Sequence, residues 1–239
     1  MHYWLERTRP VVFVLTDGSG HGLAGRIGST SRVLQAAGAT PGSIYGRLAD
    51  RDVYEALVRR DTSLWIAFAI ELSDALLRER VAYLVADAAE GFNPTHDLCR
   101  YITDAAAARV TKLTGLVLPR YEFDLDAAAD ADADEAIAFR LALDQPALER
   151  KLSAGLGYPE MRDEVEQLLR RFGREAFAVE AFRPATSGQV RWTGERAAAY
   201  ERYGRDRIAR GFYQTLITYE THLAPVQDAL AAVSEVTET

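Results

Sequence analysis

The chain has 239 residues, of which 48% are hydrophobic and 26% charged, and this composition excludes a largely disordered protein. The net charge of −7 excludes a broad attraction to nucleic acid or to an anionic membrane, so neither is an expected partner. Cys99 is the only cysteine, which excludes an intrachain disulfide and favours a reducing, cytoplasmic location. No apolar run approaches the roughly 18 residues that a membrane helix needs. We therefore expect a cytoplasmic protein that acts on a small-molecule substrate. The sequence is compatible with either a monomer or a homo-oligomer.

The first predicted strand, at residues 11–15, is a β-branched and aromatic run that Asp17-Gly18 brings to an end. Residues 16–25 contain four glycines and are predicted to form a loop. A helix is predicted over residues 26–37, with Gly38 as its C-cap.

Strands and helices then alternate along the chain. The predicted elements are a short strand at 43–48, helices at 50–59 and 63–80, a buried strand at 81–85, a loop at 87–96, a helix at 97–109 and a strand at 116–123. This order predicts an α/β fold with a mostly parallel, Rossmann-like sheet and helices on both faces. Ligands in such folds bind beyond the carboxyl ends of the strands, where the loops 16–25 and 87–96 are expected to lie.

The second half of the sequence is predicted to be mostly helical. Residues 124–135 are acidic and are predicted to form a solvated linker, because Glu135 and Leu141 occupy the positions where a calcium loop needs glycine and glutamate. Helices are predicted at 134–143, 145–154 and 159–172, a late strand at 177–182, and further C-terminal helices over 195–235. We expect one α/β domain over residues 1–239, with a core sheet unit at 11–123, the linker at 124–135 and a mostly helical remainder at 136–239.

The loop at 87–96 is the strongest candidate for chemistry, because ionisable and polar side chains crowd the end of a strand. They are Asp87, Glu90, Asn93, Thr95, His96 and Asp97. A histidine at the start of a helix is expected to stay neutral, since the helix dipole disfavours its charged form, and this suits a metal ligand or a general base. The alternative is that Asn93 and Thr95 only cap the helix.

The glycine-rich loop at 16–25 is the second candidate. Its glycines allow a close approach of the backbone to a ligand, but the spacing fits neither the dinucleotide fingerprint nor the phosphate loop. Asp17 is a candidate ligand or base, with a turn residue as the alternative, and His21 is a candidate ligand or an ordinary loop histidine.

Both loops resemble those of the PIG-L/LmbE-like N-deacetylases, which are zinc enzymes that remove acyl groups from amino sugars. The run Val12-Phe13-Val14-Leu15-Thr16-Asp17-Gly18-Ser19 is similar to a strand of the family and the T-x-G-E-type turn that follows it. Arg26 matches the arginine after that turn, while Ser29 stands where the family has glutamate. Asn93-Pro94-Thr95-His96 is similar to the family's H-P-D-H motif, in which the last histidine is a zinc ligand.

The family's H-P-D-D-E motif, which supplies two zinc ligands and the catalytic carboxylate, does not occur in this sequence. Three interpretations are therefore open. The chain is a divergent relative that builds a metal site from residues such as Asp17, His21, Asp87 or Glu90 beside His96. Otherwise it is a non-catalytic relative that binds a sugar or nucleotide-sugar, or the gene start lies upstream and the motif has been cut off.

The resemblance implies a hydrolase in which a metal-bound water attacks the amide carbonyl of an N-acylated sugar or a related metabolite. It implies His96 as a zinc ligand and Asp17 or Asp97 as the base. The residues that the resemblance assigns to the substrate pocket are Gly18, Ser19, His21, Arg26, Glu90 and Asn93. An accessory subunit that binds a partner protein is the other alternative.

Overall fold

The computed structural model describes residues 1–20, 25–125, 137–185, 190–194 and 197–234. The chain divides into two compact units, and each is built from two separate stretches of sequence. The first unit comprises Met1–Arg51 and Asp126–Arg183, and the second comprises Asp52–Leu125 and Pro184–Thr239. Most of the predicted acidic linker lies outside the described residues, and the grouping of the whole chain into one domain stays a prediction.

The first unit contains the predicted strand–loop–helix at the start of the chain and a helix that precedes it. Its elements are α1 (His2–Thr8), β1 (Val11–Thr16), α2 (Ile27–Ala37), β2 (Thr40–Leu48), β5 (Phe139–Ala142), α6 (Gln145–Leu156), α7 (Arg162–Phe172), a 3-10 turn (Glu175–Phe177) and β6 (Val179–Pro184). Gly38 ends α2 in the left-handed conformation, with φ of 73°, as its C-cap role predicts.

The helix predicted at 134–143 is wrong where the structure describes it, because residues 139–142 form strand β5. Phe139 and Leu141 are half-buried while Arg140 and Ala142 are exposed, which is the two-residue alternation of a strand. β5 pairs with β6 in antiparallel register, and the rings of Phe139 and Phe182 stack with their centroids 4.6 Å apart. Tertiary pairing therefore decides the conformation of a segment whose alanine and leucine content favours a helix.

A buried carboxylate ties α1 to β6 within the first unit. The two oxygens of Glu180 accept hydrogen bonds from the backbone N–H groups of Tyr3, at 3.0 Å, and Trp4, at 2.8 Å. The ammonium groups of Lys151 and Met1 lie 3.1 Å and 2.7 Å from the same carboxylate. Burial raises the pKa of Glu180, but these charges and hydrogen bonds outweigh it and lower the pKa to about 2.

The second unit is mainly helical. Its elements are α3 (Asp50–Arg59), α4 (Thr62–Arg78), β3 (Leu84–Asp87), α5 (Pro94–Thr114), β4 (Arg120–Phe123), α8 (Ala199–Ala209), a π-helical turn (Tyr219–Leu223), α9 (Ala224–Ala231) and a 3-10 turn (Ala232–Ser234). The first two residues of α3 are assigned to the first unit. Its core forms where α4, α5 and α9 pack together, and the side chains of Trp65, Leu98 and Val226 there are fully buried. Burial of each such side chain contributes about 1.5 to 3 kcal/mol to stability, so this packing fixes the position of α5.

Arg100 on α5 is buried with its charge paired. Its Nε donates to Asp104 at 2.9 Å, and its guanidinium forms an ion pair with Glu122 on β4. This network fixes α5 against the strand that neighbours β3, because a buried guanidinium without partners is very costly.

The fold class is α/β, as predicted. Among the described residues, β1 and β2 form a parallel two-stranded sheet, β3 pairs with β4 in parallel, and β5 pairs with β6 in antiparallel register. The loops at 16–25 and 87–96 therefore do not follow strands of one sheet, because β1 belongs to the two-stranded sheet and β3 to the other. None of the described helices is both long and apolar enough to span a bilayer.

Candidate functional site

The glycine-rich loop of the first unit is held by two carboxylates, Asp17 within the loop and Asp50 at the start of α3. Asp17 Oδ1 accepts a hydrogen bond from the N–H of Ser19 at 2.9 Å, and Asp50 Oδ2 accepts from the N–H of Gly20 at 2.5 Å. The Arg26 N–H donates to the Asp17 carbonyl at 2.6 Å and closes the loop. These amides are already engaged, which disfavours an anion site at this turn.

Asp17 thus has the geometry of the turn residue that the sequence offered as the alternative to a ligand or base. Gly18 has a φ of 68°, and a Cβ there would lie 3.3 Å from Cβ of Arg26. The buried Ser29 donates to Glu160 Oε1 at 3.1 Å, so a carboxylate lies next to the position where the resemblance expects glutamate. His21 lies outside the described residues.

The second loop joins β3 to α5. Asp87 is the last residue of β3, and Asn93 is the N-cap of α5, where its side chain accepts from the N–H of Thr95 at 2.9 Å. Pro94 is the first helical residue, a position that needs no N–H donor. The capping alternative for Asn93 is therefore what the structure shows, and α5 begins three residues before its predicted start at 97.

His96 and Asp87 form a hydrogen-bonded dyad at the end of β3. His96 Nδ1 lies 2.6 Å from Asp87 Oδ2, and the imidazole is 41% exposed, which leaves the ring open to a substrate. Burial lowers the pKa of His96, but the hydrogen bond and charge of Asp87 outweigh it, so the pKa is raised. The expectation that the helix dipole keeps His96 neutral is wrong in direction, because a carboxylate in direct contact acts more strongly than a helix end.

Asp97, the predicted base next to this dyad, points into the protein. Its side chain is 1% exposed, and its Oδ1 accepts hydrogen bonds from the N–H groups of Glu90 and Gly91, both at 3.1 Å. Burial raises the pKa of Asp97 to about 6, although these hydrogen bonds oppose the shift. Glu90 in turn accepts from the N–H of Leu125 at 2.9 Å, so both carboxylates hold the loop.

We expect Asp97→Asn to flatten the pH dependence of stability. A carboxyl whose pKa is raised on folding contributes stability that is fully present below its unfolded pKa of 3.8 and is lost as the pH rises through the folded value of about 6. This rise in the pKa of Asp97 corresponds to a loss of about 3 kcal/mol from the unfolding free energy of the wild type across that pH range. Urea unfolding at pH 4, 5, 6 and 7 measures it, with Asp206→Asn at an exposed position of α8 as the control. If the free energy of unfolding changed equally with pH in the wild type and in Asp97→Asn, the expectation would be wrong.

Gly91 connects three parts of the second unit that the sequence did not bring together. Its N–H donates to Asp97, and its carbonyl accepts from the N–H of Tyr200 at the start of α8, at 3.1 Å. The ring of Trp192 covers its α-carbon closely, because a Cβ at Gly91 would lie 3.0 Å from the indole. Burial raises the pKa of both Asp97 and Tyr101, and the indole N–H of Trp192, which faces both groups, partly opposes this rise.

We expect Gly91→Ala to cost about 2 to 3 kcal/mol of stability. Gly91 has a φ of 65°, which an alanine adopts at a cost of about 1 kcal/mol or more, and the added methyl meets the Trp192 ring. Gly115→Ala is the matched control, since Gly115 has a φ of 72° and nothing lies within 4 Å of its added Cβ. Urea unfolding measures both variants. Equal losses would mean that the contact with Trp192 contributes nothing.

The sequence-predicted site residues thus fall into two groups. Asp17, Gly18, Ser19 and Arg26 lie together in the first unit, whereas Glu90, Asn93, His96 and Asp97 lie together in the second. Sequence reasoning did not place Tyr101, Trp192 and Tyr200 beside this loop, and only Tyr101, one helical turn after Asp97, carries a local signal for that position. Across the part of the chain that the structure describes, no group of three or more His, Cys, Asp or Glu side chains is arranged to hold a metal ion.

Comparison with protein-family models, curated proteins and solved structures finds no match for this chain.

Proposed function

We propose that the protein is a PIG-L-like hydrolase that removes the acyl group from an N-acylated sugar or a related small metabolite in the cytoplasm. The observation that carries the proposal is the contact of 2.6 Å between His96 Nδ1 and Asp87 Oδ2 at the carboxyl end of β3. The parallel pairing of β1 with β2 and of β3 with β4 supports the mostly parallel, Rossmann-like sheet that the resemblance implies. The similarity of the strand, loop and helix sequence to that family supports the substrate class.

In this mechanism His96 is the general base and Asp87 orients it. Asp87 accepts from Nδ1–H, which places the lone pair on Nε2, and it stabilises the imidazolium that forms when Nε2 takes a proton. The water that loses this proton forms a bond to the amide carbonyl carbon. The carbon–nitrogen bond then breaks, and His96 returns the proton to the nitrogen of the leaving amine, so that the products are a carboxylic acid and an amine.

Asp97 is a positioning residue in this proposal. By accepting from the N–H groups of Glu90 and Gly91 it fixes the loop between Asp87 and His96, and thereby keeps these two side chains in contact. Zinc, the cofactor that the resemblance implies, stays a prediction. His96 Nε2 is one suitable donor, but the described residues do not complete a ligand set around it, so no step is routed through the metal.

Release of free amine from a panel of N-acetylated amino sugars and related N-acyl metabolites tests the proposal. We expect activity in the wild type, loss of it in His96→Gln, and retention in His2→Gln, a matched control at a histidine of the first unit. Metal analysis of protein purified without a polyhistidine tag accompanies the assay, and stoichiometric zinc that His96→Ala loses would support the metal. Binding of a panel member without amine release would instead support the non-catalytic alternative, and activity that survives His96→Gln would overturn the assigned base.

A further inference from the structure

The turn between α5 and β4 carries the most exposed aliphatic side chains of the described residues. Leu113, Leu116 and Val117 are 56%, 73% and 80% exposed, and the last two exceed every other large hydrophobic side chain in that part of the chain. Apolar side chains exposed singly are ordinary on a protein surface, whereas a contiguous group indicates an interaction surface. We call these three side chains the Leu116 patch.

An ordered backbone holds the patch in place. Gly115 ends α5 in the left-handed conformation, and the Leu116 N–H donates to Thr114 Oγ1 at 3.1 Å. At the other end of the turn, the Pro119 carbonyl accepts from the N–H of Leu84 at 2.9 Å. Among the described residues, nothing outside the turn lies within 4 Å of the position that a Cβ at Gly115 would take. The patch therefore sits on a fixed turn that no neighbouring element covers at this point.

Cations adjoin the Leu116 patch from two segments of the chain. Lys112 is exposed in the last turn of α5, directly before the patch. Because β3 and β4 pair in parallel, residues 80–83 and 116–119 lead into the two strands at the same edge of the sheet. Arg80, which is exposed, therefore brings a second cation to the edge where the patch lies.

The local charge at this edge is positive, although the whole chain carries a net charge of −7. The charged side chains of residues 78–83 and 112–119 are Arg78, Glu79, Arg80 and Lys112. The single carboxylate among them, Glu79, lies 3.4 Å from Arg78 Nε, which leaves the charges of Arg80 and Lys112 in excess. Exposed charges further away than the Debye length of about 8 Å are largely screened at physiological salt, so the acidic remainder of the chain does not cancel this excess.

The combination of an exposed aliphatic turn with adjacent cations favours an anionic lipid surface as the partner. Aliphatic side chains enter the boundary between headgroups and acyl chains without needing a matching groove, and basic side chains beside them are attracted to anionic headgroups. A second copy of the chain in a two-fold contact would place these cations opposite each other. Single-stranded nucleic acid binds largely by stacking on aromatic rings, and the patch contains none.

We propose that the Leu116 patch docks the protein on the surface of an anionic lipid bilayer. The three aliphatic side chains enter the acyl boundary, while Lys112 and Arg80 contact the headgroups. This docking goes beyond the proposed function and needs no reaction at His96. The contact between His96 and Asp87 lies at the carboxyl end of β3, whereas the patch lies at the amino edge of the same pair of strands, so docking leaves that contact accessible.

Co-sedimentation of the full-length protein with lipid vesicles tests the proposal. We expect the protein to bind vesicles of phosphatidylcholine mixed with phosphatidylglycerol, to bind vesicles of phosphatidylcholine alone far more weakly, and to dissociate from the mixed vesicles as the salt concentration rises. A protein that stays in solution with both kinds of vesicle, or binds both equally, would overturn the proposal. This readout is independent of amine release, so its failure is distinct from a failure of the proposed hydrolase.

Surface variants locate the docking on the chain. The double variant Leu116→Ser/Val117→Ser should weaken binding to the mixed vesicles at least tenfold, because it removes most of the apolar surface that enters the bilayer. Lys112→Gln should weaken the same binding about fivefold, because it removes one headgroup contact. Phe212→Ser is the matched control, since Phe212 is 61% exposed beyond the end of α8 and its loss should leave binding unchanged.

The remaining outcomes decide against the lipid surface. Equal losses in the double variant and in Phe212→Ser would place the binding elsewhere and overturn the site. A dimer in sedimentation velocity that the double variant dissociates, in a protein that does not bind vesicles, would assign the patch to a second copy of the chain. If the double variant fails to fold, Lys112→Gln and the comparison of the two kinds of vesicle decide.

Discussion

Replacing Asp87 with asparagine is expected to lower kcat for amide hydrolysis by up to about two to four orders of magnitude, because this is the usual contribution of a general base and Asp87 orients the base His96. The carboxamide introduced by Asp87→Asn offers His96 either an oxygen or an N–H group, so Nδ1 is no longer committed to the donor role. The variant also lacks the charge that stabilises the imidazolium in the transition state. KM should change little, because Asp87 contacts His96 and is not placed to contact substrate in the proposed mechanism.

The pH profile separates this role from a merely structural one. A general base works when it is deprotonated, so the acid limb of kcat/KM reports the pKa of His96 in the free enzyme. Burial lowers that pKa, and Asp87, with smaller contributions from the charges of Asp97 and Glu90, outweighs it; loss of Asp87 removes the largest contribution that raises the pKa. The acid limb of Asp87→Asn should therefore move to lower pH. Asp74→Asn, which removes a carboxylate bound to Arg109 at the surface, should leave both rate and profile unchanged. If Asp87→Asn lowered kcat but left the acid limb of kcat/KM at the same pH, the role of Asp87 as the partner of a catalytic His96 would be wrong.

Glu180→Gln is expected to destabilise the protein by about 3 to 5 kcal/mol at pH 7, because it removes the charge at the centre of a buried network. The carboxylate of Glu180 is 2% exposed and accepts from Lys151 and from the N–H groups of Tyr3 and Trp4, with the Met1 amine 2.7 Å away. Burial lowers the pKa of the Met1 amine to about 6, so at pH 7 the charge of Lys151 and the two N–H groups are the main partners. The glutamine amide keeps the size of the side chain, but its N–H₂ end faces donors and its oxygen carries no charge. Urea unfolding of the protein carrying a C-terminal tag, which keeps the Met1 amine free, measures the loss.

The same variant should respond to pH in a defined direction. The pKa of Glu180 is lowered to about 2, so its contribution is present above the unfolded value of 4.5 and is lost as the pH falls towards 2. The gap between the wild type and Glu180→Gln should therefore narrow when unfolding is repeated at pH 3. Glu149→Gln is the control, since it breaks an ion pair with Arg174 on the surface that is worth at most about 1 kcal/mol. A loss in Glu180→Gln no larger than in this control would contradict the expectation.

Local rules in the sequence predicted much of the first half of the chain. The helices at 50–59 and 63–80 are close to α3 and α4, the strand at 11–15 is β1, and Gly38 ends α2. Each of these depends on residues within one or two turns of each other, where periodicity and capping are informative. The strand predicted at 81–85 lies at 84–87 in the structure, a shift that makes Asp87 the last residue of the strand.

The rest depends on contacts that no local pattern carries. The helix α1 was not predicted, and it is held by Glu180, which lies far away in the sequence. β5 is a strand because of its pairing with β6, against its own composition. The sequence identified His96 and Asp87 as candidates for one metal site, but their direct contact reverses the expected shift in the pKa of His96. Gly91 contacts Asp97, Trp192 and Tyr200, and a single sequence has no signal that brings these distant residues together.

The two-segment construction of each unit has a consequence for synthesis of the chain. The first unit needs residues 126–183 as well as residues 1–51, and the whole of 52–125 is made in between. On the ribosome, α1 emerges long before Glu180, and the backbone N–H groups of Tyr3 and Trp4 find their acceptor only after residue 180 has been added. The helix α1 therefore lacks its Glu180 anchor until the second of the two segments of its own unit has almost been completed.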